Sequence, residues 1–230
     1  MLLDLLGHGL SDRSTHASSY RFDTYAQQVF GLVDELGADD AVLGGLSLGA
    51  NVSLFAASQH PERVRGLVLE MPVLEWAVPS AALAFVPILL AAHYGRRVMR
   101  VTSGLLRRVP RTRYGSLNSA LNAASLPPEV MAAIFHGVLV GPVAPTIEQR
   151  SRITAPSLVM AHRNDLIHPF DDAANLVEQM PAARLVRAHS PLELRMRPDR
   201  LTAEISSFLE EVWSARGAVG ATATNDDEPG

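Results

Sequence analysis

Hydrophobic positions along this chain fall into two patterns that alternate. Short apolar runs bounded by polar or turn residues read as buried strands: Met1 to Leu5, Val42 to Gly44, Val64 to Glu70, Thr154 to Ala161 and Ala183 to Arg187. Between them the spacing is helical. Phe22, Tyr25, Val29, Leu32, Val33 and Leu36 share one face, with Asp23 or Thr24 as cap and Gly37 as stop. Helical spacing recurs after Ser47 (Leu48, Val52, Leu54, Phe55, Ala57), over Asp171–Met180, and over Leu201–Arg216 through Leu201, Ile205, Phe208, Leu209 and Val212. Strands alternating with helices at these lengths predict βαβ units and a mostly parallel sheet flanked by helices.

From Met71 to about Ile153 the strand pattern stops. Helical segments at Ser80–His93, Arg96–Arg108, Tyr114–Ala124 and Pro128–Leu139 are separated by Pro79, Pro110, Pro127-Pro128 and Pro142. The expected organisation is therefore an α/β core of residues 1–72 and 151–216 with a helical insertion at 73–150. The small, polar and acidic residues 217–230 are expected to be disordered.

Composition narrows the classes. A chain of 230 residues with 47% hydrophobic and 19% charged residues is globular and long enough for one sizeable core. Its net charge of −4 gives no reason to expect a nucleic-acid partner. The absence of cysteine excludes disulfides, thiolate metal sites and cysteine nucleophiles, and fits a reducing, cytoplasmic setting. No signal-peptide pattern opens the chain. The longest apolar stretch, Trp76 to His93, is interrupted by Pro79 and Pro87, so stable membrane insertion is not expected. Seven arginines between Arg96 and Arg113, with no acid among them, read either as a solvated helix face or as a docking surface for an anionic tail or headgroup.

Candidate chemistry centres on Gly45-Leu46-Ser47-Leu48-Gly49, a G-x-S-x-G at a strand-to-helix junction. There a sharp turn would lift the Ser47 hydroxyl above the sheet edge and aim the Leu48 N–H at a developing oxyanion. Side chains at Gly45 and Gly49 are expected to collide with neighbouring backbone. The bland alternative is a serine in a tight glycine turn. Asp165 follows the strand at 154–161 and, by its position alone, reads as a loop-capping carboxylate. The histidines form no H-E-x-x-H pair, and the glycines near Ser47 lack a P-loop lysine, so neither a metal nor a nucleotide cofactor is expected.

Asp4, Gly7, His8, Gly9 and Ser11, with Leu6 in place of arginine, match the D-x-R-G-H-G-x-S loop that precedes the nucleophile elbow in the α/β-hydrolase family. With both motifs in register, residues 1 to about 213 resemble that family. The resemblance implies an α/β-hydrolase fold whose insertion forms a helical cap, and a serine hydrolase acting without a cofactor on an ester, amide or related acyl bond. The apolar cap residues favour a small, partly apolar substrate. It also implies a triad in the order Ser47, Asp165, His. Asp165 with Pro169 fits the family's G-x-x-D-x-x-x-P loop, with His162 replacing part of the usual small-residue run.

For the base the resemblance points to His189, although the family position falls near Glu193. Three readings stay open. His189 reaches Ser47 from a shortened loop; another histidine substitutes, His168 being nearest but close to Asp165 for the usual geometry; or the base is lost. In the last reading the protein binds a small apolar ligand, and Glu193 and Arg195 pair with each other or face the pocket. His8 would brace its loop. The family has three strands and a second oxyanion loop before this point, so the start is expected to lie downstream of the natural one or the chain to be a shortened member. An open sheet edge of that kind is compatible with a homodimer.

Overall fold

The computed structural model describes residues 1–113, 115–163, 165 and 167–222. Along the chain run α1 (Phe22–Glu35), β1 (Ala41–Leu46), α2 (Leu48–Gln59), β2 (Val64–Glu70), α3 (Val78–Tyr94), α4 (Arg96–Leu106), α5 (Gly115–Ala124) and α6 (Pro128–Val140). They are followed by α7 (Ile147–Ser151), β3 (Ser157–Ala161), α8 (Phe170–Gln179), β4 (Ala183–Arg187), α9 (Glu193–Met196) and α10 (Asp199–Thr222). By internal packing the chain divides into one group of Met1–Gly37 with Leu74–Ala144 and a second of Ala38–Val73 with the residues from Pro145 onward.

The second group carries the sheet, whose strands stand in the order β1-β2-β3-β4, every neighbouring pair parallel. Parallel pairing requires a crossover between strands, and α2 and α8 supply two of them. β3 lies inside and is buried at all five positions, which its apolar run anticipates. Pleating divides the strand residues between two faces. Leu158 and Met160 of β3 meet Leu201, Phe208 and Val212 of α10 on one face, with Val42, Val68 and Val186 at the edges of that cluster. Leu67 and Leu69 alternate to the opposite face and are fully buried. Gly66 lets α10 come close, since a Cβ there would lie 3.3 Å from Val212.

The first group consists of α1, α3 to α6 and the N-terminal loop. Here the structure departs from the sequence reading. Met1 to Leu5 form no strand, and Met1 and Leu2 are almost wholly exposed. A strand needs a ladder partner for its N–H and C=O groups, and among the described residues none lies beside this segment. The segment instead joins a turn held by side chains. Asp4 accepts from the Leu10 N–H at 3.0 Å, and the Ser11 hydroxyl donates to the Asp4 carbonyl. Residues 1–37, expected in the core, group with the helices because the buried Tyr20 packs on α6 at Gly137, where a Cβ would lie 2.7 Å from the Tyr20 Cβ. At the other end α10 runs on to Thr222, past the expected end at 216, and residues 223–230 lie outside the described residues.

Phe208 fills the centre of the α10 face of the sheet and is almost fully buried. Phe208→Ala is expected to destabilise the fold by about 3–5 kcal/mol, read as a lower urea midpoint with an unchanged slope. A loss below about 1 kcal/mol would mean that α10 is not part of the sheet's core.

Candidate active site

β1 ends at Leu46 and α2 begins at Leu48, so Ser47 makes the whole turn between them. Its backbone sits at φ 51° and ψ −106°, outside the ordinary regions for a residue with a side chain. Strain of that kind persists only where the surroundings over-determine it. Here the Ser47 N–H donates to the Glu70 carbonyl of β2 at 2.8 Å, and the Asn51 N–H donates to the Ser47 carbonyl at 3.0 Å. Asn51, fully buried, also ties α2 to the chain beyond β2 through bonds to the N–H and carbonyl of Val73. Gly45 is required by contact, since a Cβ there would lie 2.7 Å from the Gly49 backbone. The expectation for Gly49 does not hold, because a Cβ at that position meets nothing within 4 Å. Gly49 is the surface that Gly45 approaches, and its own side-chain direction is open.

The turn presents the Ser47 hydroxyl to a histidine. His168 Nε2 lies 2.9 Å from Ser47 Oγ, and His168 Nδ1 lies 3.0 Å from Asp165 Oδ2. An ionised carboxylate only accepts, so Nδ1 carries the proton toward Asp165 and Nε2 is left as acceptor for the serine hydroxyl. The other oxygen, Asp165 Oδ1, accepts from the N–H of Ile167 at 2.8 Å and of His168 at 3.1 Å. These two bonds fold the chain back after Asp165 and bring a histidine three residues on beside the same carboxylate. Pro169 then leads directly into α8.

A second imidazole completes the shell. Buried His162 has Nε2 3.2 Å from Asp165 Oδ2 and Nδ1 2.7 Å from the Arg163 carbonyl. Both of its neighbours are acceptors, so the two bonds are made together when both ring nitrogens carry protons. Burial pushes the Asp165 carboxyl up, but the Ile167 N–H, the His168 imidazole and the His168 N–H outweigh it and hold the carboxyl below its ordinary range. The stability tied to that shift is present above the unfolded value of about 3.9 and is lost as pH falls through the lower folded value.

His189 lies elsewhere in its bonding. Its side chain is 78% exposed and its Nδ1 faces Glu193 Oε1 at 3.2 Å. Glu193 is itself held by Arg200 Nε at 2.9 Å and accepts from the His189 N–H. Arg195 does not pair with Glu193; it holds Glu70 with two bonds of 2.7 and 3.1 Å. The histidine that meets Ser47 is thus His168, the reading that the sequence placed second. The signal for it was Asp165-x-x-His168-Pro169, an aspartate turn closed by a proline. Leu48 opens α2, so its N–H has no intrahelical acceptor. Among the described residues no group of three ligating side chains could hold a metal ion.

A family model described as alpha/beta hydrolase fold matches residues 1–190. A 66-residue stretch is 42% identical to a 2-hydroxymuconate semialdehyde hydrolase of a Pseudomonas species, covering 29% of this chain and 23% of that protein. A stretch of equal length is 41% identical to a 2-(acetamidomethylene)succinate hydrolase of Mesorhizobium japonicum, again over 29% and 23% of the two chains. The matched part is thus under a quarter of either relative. Among solved structures, an enol-lactonase from Burkholderia xenovorans superposes with a TM-score of 0.66 at 21% identity, covering 90% of this chain and 78% of the other. A thermophilic esterase from Thermogutta terrifontis gives 0.65 at 22% identity with the same coverage. At these identities the likeness concerns the fold.

The two elbow glycines are expected to separate on mutation. Gly45→Ala drives a methyl into the Gly49 backbone and should lower the melting temperature by several degrees or prevent folding. Gly49→Ala enters open space inside α2 and should change stability by no more than about 1 kcal/mol, in the stabilising direction. Thermal denaturation of both variants checks this, and equal losses would contradict the geometry.

Proposed function

Because the chain belongs to the α/β-hydrolase family, we propose that it is a serine hydrolase cleaving an ester, amide or related acyl bond of a small, partly apolar substrate. Ser47 is the nucleophile, His168 the base and Asp165 the group that orients it. The observation that carries this reading is the continuous hydrogen-bond line from Ser47 Oγ through His168 to Asp165, at 2.9 and 3.0 Å.

A serine hydroxyl is a weak nucleophile at its ordinary pKa and needs a base within hydrogen-bond reach. As Ser47 Oγ bonds to the substrate carbonyl carbon, His168 Nε2 takes the hydroxyl proton and the carbonyl π electrons move onto oxygen. The Leu48 N–H, at the N-terminus of α2, stabilises that oxyanion together with the helix dipole. Collapse of the intermediate breaks the bond to the leaving group, which receives the proton from Nε2. Water then repeats the sequence on the acyl-enzyme, releasing the acid and restoring Ser47. Asp165 stays ionised and stabilises the transient imidazolium without taking its proton. His162 contacts the same Asp165 oxygen that His168 uses and helps to fix it.

Hydrolysis of short p-nitrophenyl acyl esters tests the assignment. Ser47→Ala and His168→Ala are each expected to lower kcat/KM by about 10⁴-fold or more. His189→Ala should stay within about three-fold of the parent, since its side chain is exposed and turned to Glu193. The reverse ranking of the two histidine variants would give the base to His189. No hydrolysis by the folded parent would support a ligand-binding role for the same fold.

A further inference from the structure

Helices α3 and α4, within the first packing group, carry a surface that the reaction at Ser47 does not explain. One face of α3 is fixed in that group. Phe85 stacks on Phe135 of α6 with centroids 5.4 Å apart, and Ala92 is buried. On the opposite face Leu83, Val86, Leu90 and Tyr94 recur at i, i+3, i+7 and i+11, all exposed, with Leu83 at 80% and Tyr94 at 81%. α4 repeats the arrangement, with Val98, Val101 and Leu105 at i, i+3 and i+7 exposed at 68%, 63% and 56%. Apolar stripes of this length on a helix surface mark an interaction site rather than ordinary exposure.

The charges beside the stripes say what kind. Between Glu75 and Glu129 there is no acidic residue, while Arg96, Arg97, Arg100, Arg107, Arg108, Arg111 and Arg113 all fall there, in a chain of net charge −4. Arg100 is engaged with Glu129. Arg97 lies four residues before Val101, at the edge of its stripe, and Arg108 follows the end of α4 at Leu106; neither has an ion-pair partner among the described residues. Trp76 and Tyr94, aromatic residues with polar tips, bracket the apolar stretch and are both exposed. An apolar helix face edged by arginines and bounded by aromatic residues is what an interfacial helix presents to a bilayer.

We propose that these faces of α3 and α4 dock the protein on an anionic lipid surface, with Leu83, Leu90, Val101 and Leu105 entering the headgroup boundary and Arg97 and Arg108 reaching lipid phosphates. A second copy of the chain fits less well. A two-fold contact would set the same uncompensated arginines against each other. Crossing the bilayer also fits less well. Glu75–Tyr94 is apolar and long enough, at about 30 Å, to span. Spanning, however, would strip the Phe85–Phe135 contact that holds α3 to α6.

The test uses the full chain and sedimentation with vesicles of phosphatidylcholine alone or mixed with phosphatidylglycerol. The protein should sediment with the anionic vesicles and only weakly with the neutral ones. Arg97→Gln and Arg108→Gln should each lower the partition coefficient about five-fold. High salt should release the protein, because the Debye length shrinks to about 3 Å at 1 M. Leu83→Ser with Leu105→Ser should weaken binding to the same vesicles. Circular dichroism melting confirms that each variant is folded. The proposal is overturned by failure to bind anionic vesicles, by binding indifferent to both arginines, or by attachment that high salt cannot release, as for a spanning helix. A dimer in size-exclusion chromatography that Leu83→Ser dissociates would also overturn it, giving the face to a second copy. None of these readouts depends on turnover at Ser47.

Discussion

The Asp165 carboxylate has more attached to it than any other group at the site. One oxygen takes two backbone N–H bonds and so makes the turn; the other faces two imidazoles and so sets the line toward Ser47. The same ion therefore shapes the loop and orients the base. Removing its charge would undo a turn as well as a hydrogen bond, and for that reason local geometry and protonation cannot be separated here. A carboxylate held below its ordinary pKa by these donors stays ionised wherever His168 would be called on to accept a proton.

The parallel sheet puts Ser47 and Asp165 on one edge, where His168 joins them. Both follow the C-terminal ends of strands, β1 and β3, with β2 between them in the order of the sheet. Parallel strands put all their C-terminal loops on one edge, where ligands bind in open α/β sheets. β2 contributes directly, since its Glu70 carbonyl anchors the Ser47 N–H and its Glu70 carboxylate is held by Arg195. The strained turn at Ser47 rests on a strand buried between two neighbours, which leaves the serine little freedom to relax.

Much of this was legible from residue patterns. The four strands β1 to β4 and the helices of 78–140 fall where apolar runs and proline breaks place them, because burial on a pleated sheet or against a helix imposes its period on the sequence. The elbow was legible because its glycine spacing has one steric cause, realised at Gly45. Met1 to Leu5 was misread because an apolar run says that a segment prefers burial, not that a partner strand is present. Gly49 was misread because a motif glycine need not be tight on its own account. His168 ranked behind His189 because its closeness to Asp165 in sequence counts against the usual triad geometry; a two-bond aspartate turn overcomes that, and no periodicity reports it.

Active-site labelling resolves the central claim most directly. Treatment of the folded protein with a fluorophosphonate, followed by peptide mass spectrometry, should place a single adduct on Ser47. Labelling should be abolished in His168→Ala and retained in His189→Ala, because only the imidazole at 2.9 Å from Oγ can take the hydroxyl proton. An adduct on Ser47 that survives loss of His168 and disappears with His189 would contradict the assignment.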